Sequence, residues 1–521
     1  MAYNIANSCF GCGTCQPKCP TGAIHEENGE YWIESGLCNS CVGYYQEPQC
    51  VIECPNSSPV PKEAKKGRYK TVERRPTSPE IFANGVNTPF ASSMAIWEGC
   101  NLLAGGEILP WETNKDGKIA YQREVKQGRG SMVLRLAEGL KKESIDIRAA
   151  CVHLIYAAYA TSLDKPWEEE FIISDRQIET YLGLDKRKDL SKAAKLTLIK
   201  TLAQQPCNIT TAIDWPDQGK MKGFSVEESS LWHLREIKHH FQEDEQGCKH
   251  LIGLTFRVQA GIWAKYFLNK QGYQKRTFFY QYGTLPKFLL TAVMSIWQQH
   301  KGAARMLLWL LFKTKMGLKQ SITVSTLMRV AYGEEKIAEA HNGREERKRL
   351  LRTYESDLQV LNNYGVKPIF DEATYQPEIQ PLWVKLAEIP DDPEAALEFW
   401  TNDGNSDSCI TDSTPRGKWN MLMKARLLHF ELPKEWEEQL AKFEKRNSTK
   451  QKTARKTKSK TTSNISAEEI ITARKHRGIS QRLLAEITGK SQSWVRDLEN
   501  GRLSVRPEDQ GVIRKALGLA T

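Results

Sequence analysis

Two runs of cysteine hold the residues whose type and spacing could do chemistry. The first is Cys9-x2-Cys12-x2-Cys15-x3-Cys19 followed by Pro20; the second is Cys38-x2-Cys41-x8-Cys50-x3-Cys54 followed by Pro55. Three thiolates set three residues apart on one turning loop can each reach a different iron of a cubane, and a fourth must then come from elsewhere in the chain. Zinc, which draws its ligands onto one ion, is the competing use of CxxC pairs. A CxxCxxCxxxCP run is much more specific than a lone CxxC and favours iron and sulfur. The proline after each distant cysteine turns the chain away and stops a helix running on. Of 13 cysteines, eight lie in these runs, and Cys100, Cys151, Cys207, Cys248 and Cys409 are scattered singly. In a reducing compartment a tight array is a metal site, not a disulfide framework. The single cysteines are expected to be buried or inert.

Between the runs, Thr21-Gly22-Ala23-Ile24 and Tyr31-Trp32-Ile33 fit short antiparallel strands. The whole array resembles the two-cluster ferredoxins, in which the cysteine before the proline crosses to the other cluster. That resemblance implies two [4Fe–4S] clusters, one on Cys9, Cys12, Cys15 and Cys54, the other on Cys38, Cys41, Cys50 and Cys19. The eight residues between Cys41 and Cys50 make the second run similar to ferredoxins encoded with nitrogen-fixation genes, and lengthen one loop beside the second cluster. About 55 residues cannot bury much core, so the clusters are expected to organise this small α+β fold.

The other end of the chain carries a different pattern. Ser466 and Glu469 form a capping box, so a helix starts there and runs to about Lys475, with Gly478 ending it. Ser480 caps a second short helix with Leu483, Leu484 and Ile487 on its apolar side. Gly489 makes a turn, Ser491 caps a third helix with Val495 and Leu498 inward, and a last helix spans about Pro507 to Leu517. This helix-turn-helix resembles the Cro/C1 repressor type over about 55 residues, at Arg474, Gln481, Leu484-Ala485, Gly489, Val495, Leu498 and Glu499-Asn500-Gly501. The resemblance implies a third helix in the major groove of double-stranded promoter DNA, with Gln492, Ser493 and Arg496 toward base edges and Gln481 on a phosphate. Gln and Arg suit bidentate contacts to adenine and guanine. It also implies a structural salt bridge between Arg474 and Glu499, and it makes a homodimer on two half-sites a reasonable expectation. Trp494 departs from the pattern, where a smaller residue is usual. It could read thymine methyls, pack on a neighbouring segment or narrow the choice of site. A protein-interaction helix-turn-helix is the alternative.

The elements that must position these ends occupy the rest of 521 residues, too many for one ordinary core. The sequence suggests a multidomain, mainly α chain. It divides into a ferredoxin-type domain at 1–61, an irregular Pro- and Gly-containing connector at 62–130, a mainly helical middle at 131–440, a basic flexible linker at 441–464 and the helix-turn-helix at 465–521. Residues 145–160 read as a buried helix. Ser174-DRQIETYLGL opens like the first helix of a winged helix, with Ala193 to Leu202 next; a second such unit is possible near Leu285 to Trp297, Ala303 to Lys313 and Ile322 to Gly333, and Arg344 to Val366 follows as an amphipathic helix. Trp263, Phe267, Trp297 and Trp309 read as core. Two such units in tandem are similar, by periodicity alone, to plasmid replication initiators. The formal net charge is +11, and Lys442 to Lys460 holds nine Lys/Arg against Glu444 alone, a local +8. Such a run adds non-specific affinity for a polyanion or serves as a soluble tether.

Several classes are excluded or disfavoured. The apolar run Met306 to Phe312 is far short of the roughly 18–20 residues of a spanning helix. The start, MAYNIANSCFGCG, lacks the charged and apolar regions of a signal peptide, so a cytoplasmic protein is expected. There is no Walker A, GxSxG or HExxH motif, and nothing nominates a catalytic base or nucleophile, so no enzyme is expected. Trp232-His233, His239-His240 and Cys248-x-His250 give no recognised four-ligand spacing.

The order of parts, a nitrogen-fixation-type ferredoxin, a long helical middle and a Cro/C1-type module, resembles the cyanobacterial PatB/CnfR family of regulators. That resemblance implies a transcriptional activator of nitrogen-fixation genes acting at low oxygen, with RNA polymerase a possible partner. Two other classes stay open: an electron-transfer protein with a docking tail, and a replication or partition initiator.

Overall fold

The computed structural model describes residues 2–27, 29–61, 74, 76–83, 85–113, 119–137, 140–219, 221–243, 249–314, 321–405, 409–410, 415–431, 465–503, 505 and 507–519. The basic linker at 441–464 and Cys248 lie outside them. Packing divides the chain into two units, Met1–Gln439 and Leu440–Thr521.

The first unit begins with β1 (Tyr3–Ile5), β2 (Ile24–Glu27), β3 (Glu30–Ile33), the single turn α1 (Gln49–Ile52) and β4 (Pro59–Pro61). β1 pairs with β4 and β2 with β3, all antiparallel. The core here is small: Ile5, Ala23, Ile24 and Ile33 pack with Cys15 and Cys50. Sulfur atoms therefore form part of the hydrophobic centre, as a module of this size requires.

Residues 87–136, where the sequence suggested mostly irregular chain, hold regular structure. They form β5 (Asn87–Ala91), α2 (Met94–Gly105), β6 (Glu112–Thr113), β7 (Ile119–Val125) and β8 (Gly130–Leu136). α2 buries Ala95, Ile96, Leu102 and Leu103 on several sides, so it shows no amphipathic stripe. Its partner α3 (Ala149–Ser162) is buried at every residue from Ala149 to Thr161.

A strand–helix–helix–sheet plan follows. β9 (Glu170–Ser174) leads into α4 (Asp175–Tyr181), capped by a Ser174–Gln177 capping box. Then come α5 (Lys192–Gln204), β10 (Ile209–Trp215), β11 (Phe224–Ser230), β12 (Trp232–Glu243) and β13 (Lys249–Ala260). β12 and β13 form a long hairpin, and β13 pairs back onto β9; the remaining strands make a five-stranded sheet, β11-β10-β8-β7-β6.

After α6 (Trp263–Phe267), α7 (Lys270–Gln274), β14 (Tyr282–Pro286) and α8 (Lys287–Ile296), the plan recurs. The buried α9 (Lys301–Thr314) precedes β15 (Ile322–Thr323); Thr323 caps α10 (Val324–Asn342), and α11 (Arg344–Asn363) follows. Gly333 breaks α10 at φ 82° and ψ 165°. β16 (Lys367–Phe370), α12 (Leu382–Leu386), α13 (Pro393–Gly404), α14 (Lys418–Lys424) and β17 (Arg426–Glu431) complete the unit, with β15-β17-β16 as the closing sheet. Trp263, Phe267 and Trp309 are buried, and Trp297 lies under Arg148 at 4.0 Å. Helix exceeds strand, 45% to 22%, so the label mainly α fits only loosely. Among the described residues no helix is long and apolar enough to cross a membrane.

The second unit is all helical: α15 (Ala467–His476), α16 (Gln481–Thr488), α17 (Gln492–Glu499) and α18 (Pro507–Leu517). Ile470, Leu484, Val495, Leu498 and Ile513 meet in its core.

Candidate iron–sulfur centre and nucleic-acid interface

The eight cysteines of the two runs converge in the small N-terminal module. Cys15, Cys41 and Cys50 are buried, Cys12 is exposed, and Cys9, Cys19, Cys38 and Cys54 are half-buried. Cys19 lines one small pocket together with Cys38, Cys41 and Cys50, walled by Ile24 and Ile33. Burial pushes the Cys50 thiol up to about 12, with the neighbouring Cys38, Cys41, Cys15 and Cys19 adding to it. Burial also raises Cys15, and its thiol neighbours are Cys54, Cys9 and Cys12. Four thiolates of a cubane bind four different irons, so they need not meet at one ion position. Among the described residues no three His, Cys, Asp or Glu side chains do. The donor set fits iron–sulfur cluster binding.

Backbone N–H groups aim at the Cys19 and Cys54 thiols in the same way. Ala23 N donates to Cys19 Sγ and Ser58 N to Cys54 Sγ, each at 3.3 Å and each four residues after the cysteine. Such bonds stabilise the thiolate and tune a cluster's potential. Burial raises the Cys19 thiol, but hydrogen bonds from Thr21 and the backbone outweigh it and leave Cys19 below its usual range. At Cys12 the Thr14 hydroxyl lowers the thiol.

The module is seated on α5 and the β12–β13 hairpin. Glu34 is its centre: the side chain is only 4% exposed and accepts from Thr197 Oγ1 at 2.6 Å, His25 Nε2 at 3.1 Å and Lys200 Nζ at 3.4 Å. Burial pushes this carboxyl up, but hydrogen bonds from His25 and Thr197 and the Lys200 charge hold it at about 2. Gly36 lies so close to α5 that a Cβ there would collide with the Thr197 hydroxyl. Trp32, also buried, packs against His239 at 4.7 Å and Phe241 at 5.2 Å on β12. His239 Nδ1 sits 2.6 Å from Glu27 Oε2. Burial lowers His239 to about 4, so its imidazole is neutral at pH 7 and donates this bond. Glu34, Thr197 and Lys200 did not stand out in the sequence, because their contacts join segments more than 160 positions apart and no spacing rule marks them.

Among the described residues the histidine pairs do not come together with other metal-ligating side chains. His239 and His240 are adjacent on a strand and face opposite ways. His239 bonds Glu27, His240 bonds Thr255 at 2.7 Å, and His250 lies 3.5 Å from Asn4. Of the single cysteines, Cys100 and Cys151 are buried, and Cys207 and Cys409 half-buried.

In the second unit the capping signals act as expected from their residue types, whereas Leu483 and Ile487, read with Leu484 as the apolar side of α16, are exposed. Ser466 and Glu469 form both bonds of a capping box; Ser480 accepts from Leu483 N and Ser491 from Trp494 N. Gln492, Ser493 and Arg496 are exposed at i, i+1 and i+4 of α17, on the face opposite buried Val495 and Leu498. Arg474 Nε bonds Glu499 Oε1 at 2.5 Å. Gln481, assigned to a phosphate by resemblance, donates its amide to Glu499 Oε2 at 2.7 Å. Burial pushes the Glu499 carboxyl up, but the Arg474 and Gln481 hydrogen bonds and the guanidinium charge hold it below its usual range. Trp494 is half-buried against the helical core, with Lys490 Nζ 5.4 Å from its ring centre. It therefore packs on its own module.

Comparison with known proteins agrees with both ends. Residues 470–519 match the helix-turn-helix family, and residues 3–25 the 4Fe-4S binding domain. The chain is 47% identical over 51 residues to the ferredoxin-like protein in nif region of Bradyrhizobium diazoefficiens, a match of 10% of this chain and 69% of that protein. It is 51% identical over 57 residues to a protein of the same description from Nostoc sp., covering 11% of this chain and 49% of the other. Ferredoxin-2 of Chlorobaculum tepidum is 42% identical over 55 residues, 11% of this chain and 89% of its own length. Among solved structures, the crystal structure of RctB domains 2-3 aligns over 50% of this chain and 83% of that one, at TM-score 0.27 and 10% identity. Likeness at that level carries neither fold nor function.

Proposed function

Since the N-terminal segment of this chain belongs to the 4Fe-4S ferredoxins and its C-terminal segment matches the helix-turn-helix family, we propose that the chain is an iron–sulfur transcriptional regulator. It activates nitrogen-fixation genes and responds to low oxygen or to redox state, as its resemblance to the PatB/CnfR family implies. One observation carries the reading: a helix with Gln492, Ser493 and Arg496 exposed shares a chain with an eight-thiol cradle. Cys9, Cys12, Cys15 and Cys54 would hold one cluster and Cys38, Cys41, Cys50 and Cys19 the other. The grouping of thiols around Cys15 and Cys50 supports that division.

When bound, a [4Fe–4S] cluster supplies a one-electron, oxygen-labile centre. The chain's own groups do the rest. Ala23 and Ser58 hold the crossing thiolates with their N–H groups, and Glu34 ties the loop of Cys38 to α5, since the Cys38 N–H donates to the Glu34 carbonyl at 3.0 Å. A change in that loop is thus delivered to the body of the protein. Gln492 and Arg496 read base edges, Ser493 adds a shorter contact, and a homodimer would place two α17 helices on half-sites about one turn apart. Gln481 first serves Glu499 and reaches a phosphate from that position. The protein acts in the cytoplasm by binding, with no turnover step, and RNA polymerase is the partner an activator needs.

The deciding test is binding of anaerobically purified protein to a nitrogen-fixation promoter, before and after brief air exposure, with iron and cluster absorbance followed in the same sample. Specific binding that falls as absorbance bleaches supports the reading. Binding that survives complete bleaching removes cluster control of DNA binding. An electron carrier with a docking tail would instead keep its function after deletion of 465–521.

A further inference from the structure

The two strand–helix–helix–sheet repeats of residues 1–439 treat the same helix differently. In each, a short strand ends in a capping Ser or Thr, a capped helix follows, and then a second helix leads into antiparallel strands. This is the winged-helix plan, and its second helix is the one such folds offer to a DNA groove. In the first repeat that helix is α5, and the ferredoxin module sits on it through Thr197 and Lys200. In the second it is α11, whose Arg344, Lys348, Arg349 and Arg352 are all exposed.

We propose that the outer face of α11 is a second contact for double-stranded DNA, engaging backbone phosphates separately from α17.

Arg344, Lys348 and Arg352 recur every four residues, so they share one face of the helix. Leu350, Tyr354, Leu358 and Leu361 are buried, which fixes the opposite face inward. From Arg344 to Arg352 there are five basic residues and two acids. Those acids, Glu345 and Glu346, pair with Lys348 at 3.0 Å and Arg349 at 3.9 Å. Exposed pairs of this kind are worth little and yield to phosphate. Arg347 is engaged elsewhere. Its guanidinium donates to the Ala340 and His341 carbonyls and holds the turn at Gly343 that presents α11. The helix N-terminus adds its own attraction for a phosphate.

This contact stands apart from the reading above, since it needs neither α17 nor the clusters. The test uses full-length protein and fluorescence anisotropy with a duplex of arbitrary sequence, about 40 base pairs long, over a KCl series. R344E/K348E/R352E is expected to lower affinity at least about tenfold and to reduce the salt slope by about 2–3, close to one for each phosphate no longer neutralised. R344Q/K348Q/R352Q should lose less, and K188E, at an exposed lysine of the first winged-helix repeat, should change nothing. In a Q492A/R496A background the α11-dependent part should persist. Retained melting temperature shows that the variants fold, and the glutamine set decides if the reversal set does not fold. Unchanged affinity and slope in a folded α11 variant overturn the proposal, as does tighter α11-dependent binding of a single-stranded RNA of equal length. Loss of promoter selectivity in Q492A/R496A is a separate result that concerns α17 alone.

Discussion

The Thr197 hydroxyl donates to the Glu34 carboxylate at 2.6 Å, across 163 positions of sequence. The main-chain carbonyl of Glu34 accepts the Cys38 N–H. Glu34 thus bonds both to the loop of the second cysteine run and to the helix on which the module is seated. Glu34→Ala should leave Lys200 and His25 facing a buried gap and destabilise the first unit by about 3 kcal/mol, the cost of breaking a buried pair. Denaturant unfolding of anaerobic protein checks this. A change within about 0.5 kcal/mol would mean the seat is held by Trp32 packing instead.

Acid should loosen the first unit before it protonates ordinary carboxylates. Burial holds His153 and His239 at about 4 in the folded chain, against about 6.5 unfolded. Their folded values are depressed, so the stability they allow is full above about pH 6.5 and is lost as pH falls toward 4. Glu34, at about 2, adds a loss that starts near pH 4.5 and runs down toward 2. Melting temperature should therefore fall from about pH 6.5 downward. His153 accepts from Trp232 and meets the Ile96 carbonyl, both at 2.9 Å. His153→Gln can keep both bonds without titrating and should flatten the first part of that fall. An unchanged curve would assign it elsewhere.

In the second unit Arg474→Ala strands Glu499, whose side chain is 6% exposed. About 3 kcal/mol of stability should go, which is a large part of what so small a module has. Arg477→Ala, at a residue that bonds the Ala516 carbonyl, should cost nearer 1 kcal/mol. Melting of the two variants should separate them, and equal losses would deny the ion pair its special weight.

Arg496→Ala and Gln492→Ala should each weaken binding to the specific site by roughly 10–100-fold while leaving the melting temperature alone, because both side chains are exposed. Binding to arbitrary duplex should change much less. Competition titrations measure the ratio directly.

Cys54→Ser should disturb the cluster of the first run and spare the one on Cys38, Cys41 and Cys50. Iron content near half and one surviving paramagnetic signal on reduction are the expected results. Damage confined to the cluster of the second run would refute the crossed assignment.

What could be read in the sequence was local. The thiol spacing, the capping residues Ser466, Ser480 and Ser491 and the inward Val495 and Leu498 each act over a few residues, so the chain states them directly. α2 escaped notice because it is apolar on too many sides to show a period. The seat of the ferredoxin module escaped for a different reason. Glu34, Thr197 and Lys200 are ordinary residues until the fold brings them together. Gln481 shows the limit of resemblance: family position places it by a phosphate, while its amide here already serves Glu499.

The two thiol sets are unequally sheltered. In the proposed division, one set has the exposed Cys12 and a single buried member, Cys15, while the other has two buried members, Cys41 and Cys50, and none exposed. If the proposed division and redox response hold, a chain built this way would keep a record of what it has met. Brief air would spoil the outer set and leave molecules half-loaded, and only longer exposure would empty them. Within a cell the proportion of full, half-loaded and empty chains would then register the duration of an oxygen pulse as well as its presence, and repair could restore the outer set alone.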